Sequence, residues 1–134
     1  MAVNVRIEIH GSVLNRLLRS PTGPVARDMI KRGRKVQAAA RRRINSRTGE
    51  LARSIDVHIV ISGGAAGVKI GSDLFYAKFV HDGTGIYGPQ HQPITPRRRG
   101  GALAFRGRGG QVIVASSSGQ RGTHFLRNAL RAAR

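Results

Sequence analysis

Few residues in this chain could do chemistry, and their spacing narrows what that chemistry could be. Histidines stand at positions 10, 58, 81, 91 and 124, and the carboxylates are Glu8, Asp28, Glu50, Asp56, Asp73 and Asp82. No two histidines have the i, i+4 spacing that brings imidazoles together on one helix face. A preformed zinc site is therefore not expected, and the absence of cysteine excludes thiolate sites and disulfides. His81 and Asp82 are adjacent, and adjacent side chains on a helix diverge rather than converge. Asp82-Gly83-Thr84 is not the aspartic-protease triplet, because a glycine separates the aspartate from the threonine. With so few acids, a general acid and base would have to come from distant segments, and no serine stands in a nucleophile-elbow context. The residues point to no enzyme, no metal and no cofactor.

Gly83-Thr84-Gly85-Ile86-Tyr87-Gly88 reads literally as G-x-G-x-x-G. The dinucleotide-binding version needs a strand before it and a helix opening within it, so that the helix N-terminus meets the pyrophosphate. Here Pro89, Pro93 and Pro96 follow, and no acidic residue lies at the expected distance downstream. The glycines are better explained by positive φ in a tightly turned loop. From Gly83 to Gly101 the sequence has neither helical nor strand period, and a compact domain rarely carries so long a connection without a use for it. Ile86, Tyr87 and Ile94 lie within it, and a solvated linker has no need of them. The stretch reads as an arm that orders against a partner.

The elements around this arm follow from hydrophobic period. Val3, Val5, Ile7 and Ile9 alternate with polar residues, as in a half-buried strand. Val13 to Arg19 predicts a turn or two of helix. A long helix is expected from about 25 to 45, with Pro24 at its first position and Thr22 or Gly23 as cap. Its apolar stripe holds Val25, Met29, Val36, Ala40 and Ile44, and Gly33 on that stripe calls for a close approach to a sheet. Thr48 caps a short turn with Leu51 inward. Ile55, Val57, Ile59 and Ile61 alternate, and a glycine-rich loop over 63–67 joins them to Val68 and Ile70 as a hairpin. Leu74 to Asp82 favours a short helix, with Phe75 and Phe79, and Tyr76 and Val80, as neighbouring i/i+4 pairs. A second hairpin pairs Leu103 and Phe105 with residues 111–116 across a turn at 107–110, and a last helix gathers Phe125, Leu126, Ala129, Leu130 and Ala133 on one face. The expected fold is one α+β domain over 1–134: an antiparallel sheet packed against one long helix and a C-terminal helix, with an extended loop at about 83–101.

Charge is the dominant compositional feature. Twenty-four basic residues, against six acidic ones, give a net charge of +18. The arginines are not gathered into one tail but appear at 27–47, at 97–108 and again at 121–134, so they mark basic surfaces on a folded body. Such a balance implies polyanionic neighbours. Arg27, Lys31, Arg34, Arg41 and Arg42 on the long helix are candidate polyanion contacts, with a solvated helix face as the equal alternative. Zinc-finger spacing, a basic region with heptads, and base-stacking aromatic strands are all missing, which limits any nucleic-acid binding to a nonspecific form. No apolar run approaches the roughly 20 residues that span a bilayer, and the N-terminus lacks a signal-peptide core, so a soluble protein without membrane contact is expected.

Taken together, Tyr76-Ala77-Lys78-Phe79-Val80, Gly83-Thr84-Gly85, Ile86-Tyr87-Gly88-Pro89 and Pro93-Ile94-Thr95-Pro96 occur in an ordered succession. They are followed by the hairpin 102–116 and by His124-Phe125-Leu126-Arg127-Asn128-Ala129-Leu130. This succession resembles small tail-component, or head-to-tail joining (tail-completion), proteins of long-tailed bacteriophages. The N-terminal half fits more loosely, through its strand, its long helix and the passage from Thr48 to Ile55. His81, His124 and Asn128 depart from the family pattern, which often has glutamate at the first position and proline at the other two.

The resemblance implies a structural virion protein in the phage neck, assembled in the host cytoplasm, whose subunits form a ring, of six copies, with a channel for DNA. Its partners would be further copies of itself, the neighbouring connector, stopper, terminator or tail-tube proteins, and duplex DNA passing through without sequence readout. Subunit contacts would fall on Tyr76, Val80, Gly83, Thr84, Gly85, Tyr87, Pro89, Pro93, Pro96, Arg97, Arg98 and Arg99. Six copies would bring roughly a hundred positive charges, whereas a ring about 30 Å thick surrounds only about 18 phosphates of duplex. Much of the basic surface is therefore expected to face acidic partner proteins. Tail completion, tail termination and head-side stopping stay open within this reading. A nonspecific basic nucleic-acid-binding protein is the alternative outside it, and it leaves the arm unexplained.

Overall fold

A computed structural model describes residues 8–45 and 48–133 of the chain. Residues 1–7, which carry most of the alternating N-terminal pattern, lie outside the described residues; Ile9 sits in irregular chain and is exposed. The described elements run α1 (Gly11–Arg19), α2 (Pro24–Arg43), α3 (Glu50–Arg53), β1 (Ile55–Ser62), β2 (Ala65–Ser72), α4 (Ala77–Asp82), a single 3-10 turn at Gly85–Tyr87, β3 (Leu103–Gly107), β4 (Gly110–Val114) and α5 (Phe125–Ala132). The α+β expectation holds, with one change of arrangement. The strands form two separate antiparallel hairpins, β1–β2 and β3–β4, instead of one sheet.

Helix α2 is the spine. Pro24 opens it behind Gly23, where a missing N–H costs nothing, and its last turn is the basic run Arg41–Arg43, favourably placed at the negative end of the helix dipole. Its buried residues are Ala26, Gly33, Val36, Ala39 and Ala40, so the stripe is real but is built from smaller side chains than the sequence pattern suggested. Small residues let other elements come close. The β1–β2 hairpin packs on one side of α2, and α5 packs on another. Phe125, Leu51 and Ile55 are the largest fully buried side chains, and they meet Val36, Ala39, Ala40 and Ala129 in the core. Leu130 lies off the buried face of α5 and is 55% exposed.

The first hairpin is tighter than its glycine content suggests. Strands β1 and β2 pair fully from Ile55↔Ser72 to Ser62↔Ala65, leaving only Gly63 and Gly64 as the turn. Both have positive φ, at 58° and 83°, as the two-residue hairpin turns that match strand twist require. Gly33 explains the contact with α2. A Cβ placed there would lie 2.8 Å from Val57 Cγ1 and 3.2 Å from the Val68 side chain, so the helix rests on the hairpin at its glycine. Two side chains of α2 finish the joint by donating to the Ile55 carbonyl: Gln37 Nε2 at 2.6 Å and Arg41 Nη2 at 2.9 Å.

This contact makes a testable prediction. In an open helix position, alanine in place of glycine gains about 1 kcal/mol. Gly33→Ala is instead expected to lose about 1–3 kcal/mol, because the methyl overpacks against Val57. Denaturant unfolding of Gly33→Ala, Val57→Ala and the double variant checks this. The glycine substitution should cost less in the Val57→Ala background, with a coupling of at least about 0.5 kcal/mol.

Candidate functional site

The arm identified in the sequence starts where α4 ends, and its root is sewn to the chain segment that leads into α5. Thr84 N–H donates to the Gln120 carbonyl at 2.8 Å, Ile86 N–H to Ser118 at 2.9 Å, and Ile94 and Ser117 exchange both of their backbone bonds. Thr84 Oγ1 accepts from Gln120 N–H at 3.0 Å, so its side chain works within the chain. The two backbones run so close that side chains are excluded. A Cβ at Gly83 would lie 2.7 Å from Gly122 N, and one at Gly122 would lie 2.5 Å from the Asp82 carbonyl carbon. Cβ atoms at Gly85 and Gly119 would collide with the carbonyl oxygens of Ser118 and Thr84. Gly83, Gly85 and Gly119 also have positive φ. The G-x-G at the head of the literal fingerprint is thus a backbone-to-backbone contact, and Gly88 has an ordinary negative φ.

The sequence-derived contact residues therefore fall into two groups. Tyr76, Val80, Gly83, Thr84 and Gly85 serve the fold. Val80 packs on the core, and the Tyr76 hydroxyl donates to Glu50 Oε2 at 3.1 Å. Partial desolvation, with the Glu50 carboxylate adding to it, raises the Tyr76 phenol above its ordinary pKa. Pro89, Pro93 and Arg97 to Arg99 are exposed, Pro96 is half-buried, and Tyr87 is open to solvent with the Arg121 guanidinium 5.1 Å from its ring centre. Between α4 and the proline-rich loop lies an open cleft of about 620 Å³, with Phe79, Asp82, Pro89, Pro93 and Ile94 on its walls.

Beyond the Ile94↔Ser117 bridge the chain leaves the body, carries β3 and β4, and returns. Neither strand has an extensive contact with any other element, and most side chains on both faces are exposed. Phe105, Val112 and Ile113 stand 48%, 36% and 65% exposed. Phe75, beside the cleft-lining helix, is 79% exposed. Sequence reasoning assigned Phe75 and Phe79 to a helix pair and so missed that both face outward. Only the scarcity of partners for them in a small core could have signalled it.

Along the open face of α2, Arg27, Lys31, Arg34 and Lys35 line a shallow groove with Ile30 and Ala38. Arg42 is also exposed. Arg41 differs, because its guanidinium is used on the Ile55 carbonyl, and Arg27 Nε donates to the Thr22 carbonyl at 3.1 Å. Both still leave donors free, but their positions are set by the chain.

A further cluster was not expected. His81, Asp82 and His124 each bring a ligand-type atom within 4.8 Å of the others. His81 Nδ1 and Asp82 Oδ1 are 2.6 Å apart, because helix α4 ends at Asp82 and the neighbours no longer diverge. The two histidine rings meet edge to face at 5.4 Å. They are also the two histidines that depart from the family pattern named above.

Comparison with known proteins bears on the body of the fold. Residues 24–83 match the family model described as "Bacteriophage HK97-gp10, putative tail-component". The match runs from the start of α2 through the first hairpin to the end of α4; most of it lies in the part that the sequence succession fitted more loosely, and its end takes in Tyr76 to Gly83. Over these residues the chain is similar to a phage tail-component family, in line with the resemblance read from the sequence. No curated protein and no solved structure matches. Among the described residues, no helix is long and apolar enough to cross a membrane.

The sewn root generates its own prediction. Gly85→Ala should open the contact with residues 118–120 while leaving the distant core of α2 and β1–β2 intact. Hydrogen exchange would show it: protection at the Thr84, Ile86 and Ile94 amides falls by at least about tenfold, as for loss of a local cooperative unit. Protection within β1 stays unchanged.

Proposed function

We propose that this chain is a ring-forming subunit of the phage neck, joining the tail tube to the head connector around a channel for DNA, and that its work is assembly rather than catalysis. One observation carries the reading: a two-stranded ribbon, β3–β4, stands off the body with Phe105, Val112 and Ile113 bare. An isolated two-stranded hairpin is marginal in water, and apolar side chains on both faces call for surfaces to cover them. A neighbouring subunit in a closed ring supplies such a surface to every copy, because a head-to-tail contact repeats until the rotation closes. The cleft between Phe79 and Pro93 is a concave counterpart on the same chain, and it is the face this reading gives to the neighbour. Six copies is the number the family resemblance implies.

The basic groove on α2 enters the same picture. With a net +18 per chain, stacked rings of like charge repel one another unless their partners are acidic. We assign the groove at Arg27, Lys31, Arg34 and Lys35 to an acidic face of an adjoining neck or tail protein. Nonspecific duplex binding is the second reading, favoured by the same four cations on one helix face. The two differ in salt response. Duplex binding by four phosphate contacts would give a slope of log affinity against log salt of about −3.6 in the free protein.

The test is made on the ribbon. Phe105→Ser with Ile113→Ser should change the unfolding free energy of the free chain by no more than about 0.5 kcal/mol, since both side chains are already exposed. The same variant should fail to form the ring seen by native mass spectrometry for the unaltered protein, and it should leave full heads beside free, complete tails in electron micrographs. Normal ring assembly by the variant would overturn the reading. Overlong tails would move the role from joining to termination.

A further inference from the structure

We infer that His81, Asp82 and His124 form a binding site for a single divalent transition-metal ion of the zinc class, stapling the end of α4 to the start of α5. Three features converge on it. The first is chemistry: two imidazoles and one carboxylate are the donors that suit zinc, nickel or copper(II), and three protein ligands leave a vertex for water or a partner's side chain. The second is geometry. Ligand atoms around a tetrahedral zinc lie about 3.3 Å apart for bonds of about 2.0–2.2 Å. The three donors here are already within 4.8 Å of one another, so side-chain rotation alone can bring them to the ion.

The third feature is how the donors are held. His124 N–H donates to the His81 carbonyl at 2.9 Å, and both Thr123 N–H and its hydroxyl bond the Val80 carbonyl, at 2.9 and 3.0 Å. The His81 ring packs edge to face on Phe125, at 5.2 Å, and Phe125 is fully buried. His124 takes a left-handed backbone conformation, φ 47° and ψ 36°, which is uncommon for a residue with a side chain. Its Nδ1 is buried and has no hydrogen-bond partner. Such an atom in a native fold calls for a reason, and a neighbouring ion is one of the few available. The Asp82 side chain is 46% exposed, which leaves an entry path.

On binding, the ion takes the place of the proton between His81 Nδ1 and Asp82 Oδ1, and the neutral imidazole carries its proton on Nε2 instead. The bond between α4 and α5 then closes a long loop that contains the whole arm. The inference is independent of the ring assignment, since it can be measured on the free chain.

Cobalt(II) and zinc titrations of the full-length protein test it. We expect one ion per chain, visible as the d–d absorption of low-coordinate cobalt that zinc displaces, and a melting temperature raised by about 5 °C or more at a hundredfold excess over the dissociation constant. Asp82→Asn and His124→Gln should each weaken binding by more than about a hundredfold, as loss of a direct ligand exceeds loss of an outer partner. His91→Gln should leave it unchanged. Asp82→Asn keeps the shape and half-exposed position of the side chain, so it stays informative even where His124→Gln folds poorly. Saturable binding that survives both substitutions, or no stoichiometric binding up to about 1 mM metal, would overturn the inference.

Discussion

The arrangement depends on one steric constraint: two stretches of backbone, residues 83–88 and 118–122, run in contact with no room for a Cβ between them. Glycine alone meets that condition, and it appears on both sides, at 83 and 85 and at 119 and 122. Most of what lies C-terminal of α4 hangs on this contact. It sets where the segment before α5 runs and so brings Phe125 into the core against α2. It also decides where the arm leaves the body and where it returns. Buried backbone polar groups need partners, and here each stretch supplies them to the other.

Much of this fold could be read from its sequence, and what could not be read has a common cause. The long helix, its proline start, the first hairpin and the buried Leu51 all follow from local period and punctuation. Gly33 was even legible as a close approach, because an unfavourable residue on a helix stripe needs a packing reason. The glycines at 83 and 85 were legible as a turn, but their purpose is a contact with residues some 35 positions later, and no local pattern encodes that. His81 and Asp82 failed for a smaller reason. The rule that neighbours diverge holds inside a helix, and α4 stops at Asp82. His124 joins them only through the same long-range closure. The bare faces of Phe75 and Phe79 were hidden because an aromatic i/i+4 pair marks a helix without saying which way its face points.

Arginine serves two ends in this chain. Exposed ion pairs contribute little, about 0–1 kcal/mol, and Arg32–Asp28 at 2.8 Å on the surface of α2 is one of these. More informative are the guanidinium groups that bond carbonyl oxygens: Arg27 to Thr22, Arg41 to Ile55, Arg43 to Ala39 and Arg53 to Thr48. With so few carboxylates, these cations tie helix ends and turns to the backbone, and their charge stays uncompensated. The fold therefore gains fixed geometry from arginine while accumulating a positive field that polyanions or salt can relieve. Local stability and the positive field come from the same residues.

The arm shows the same division in space. Everything the body needs from residues 83–124 is supplied by the root: the sewn backbones, the Ile94↔Ser117 bridge and the strapping of Thr123 to Val80. The ribbon beyond the bridge contributes little to the core and presents apolar side chains to water on both faces. A segment in that position is free of the packing constraints that fix α2 or α5, so its residues answer to whatever covers them. Ordering it against a partner costs conformational entropy that burial of Phe105, Val112 and Ile113 offsets, at about 1.5–3 kcal/mol for each side chain fully covered. In the closed ring proposed above this gain would recur at every interface, with each subunit giving and receiving one ribbon. A contact too weak to hold two free chains together can then hold a ring, because breaking the ring open requires losing interfaces together rather than one at a time.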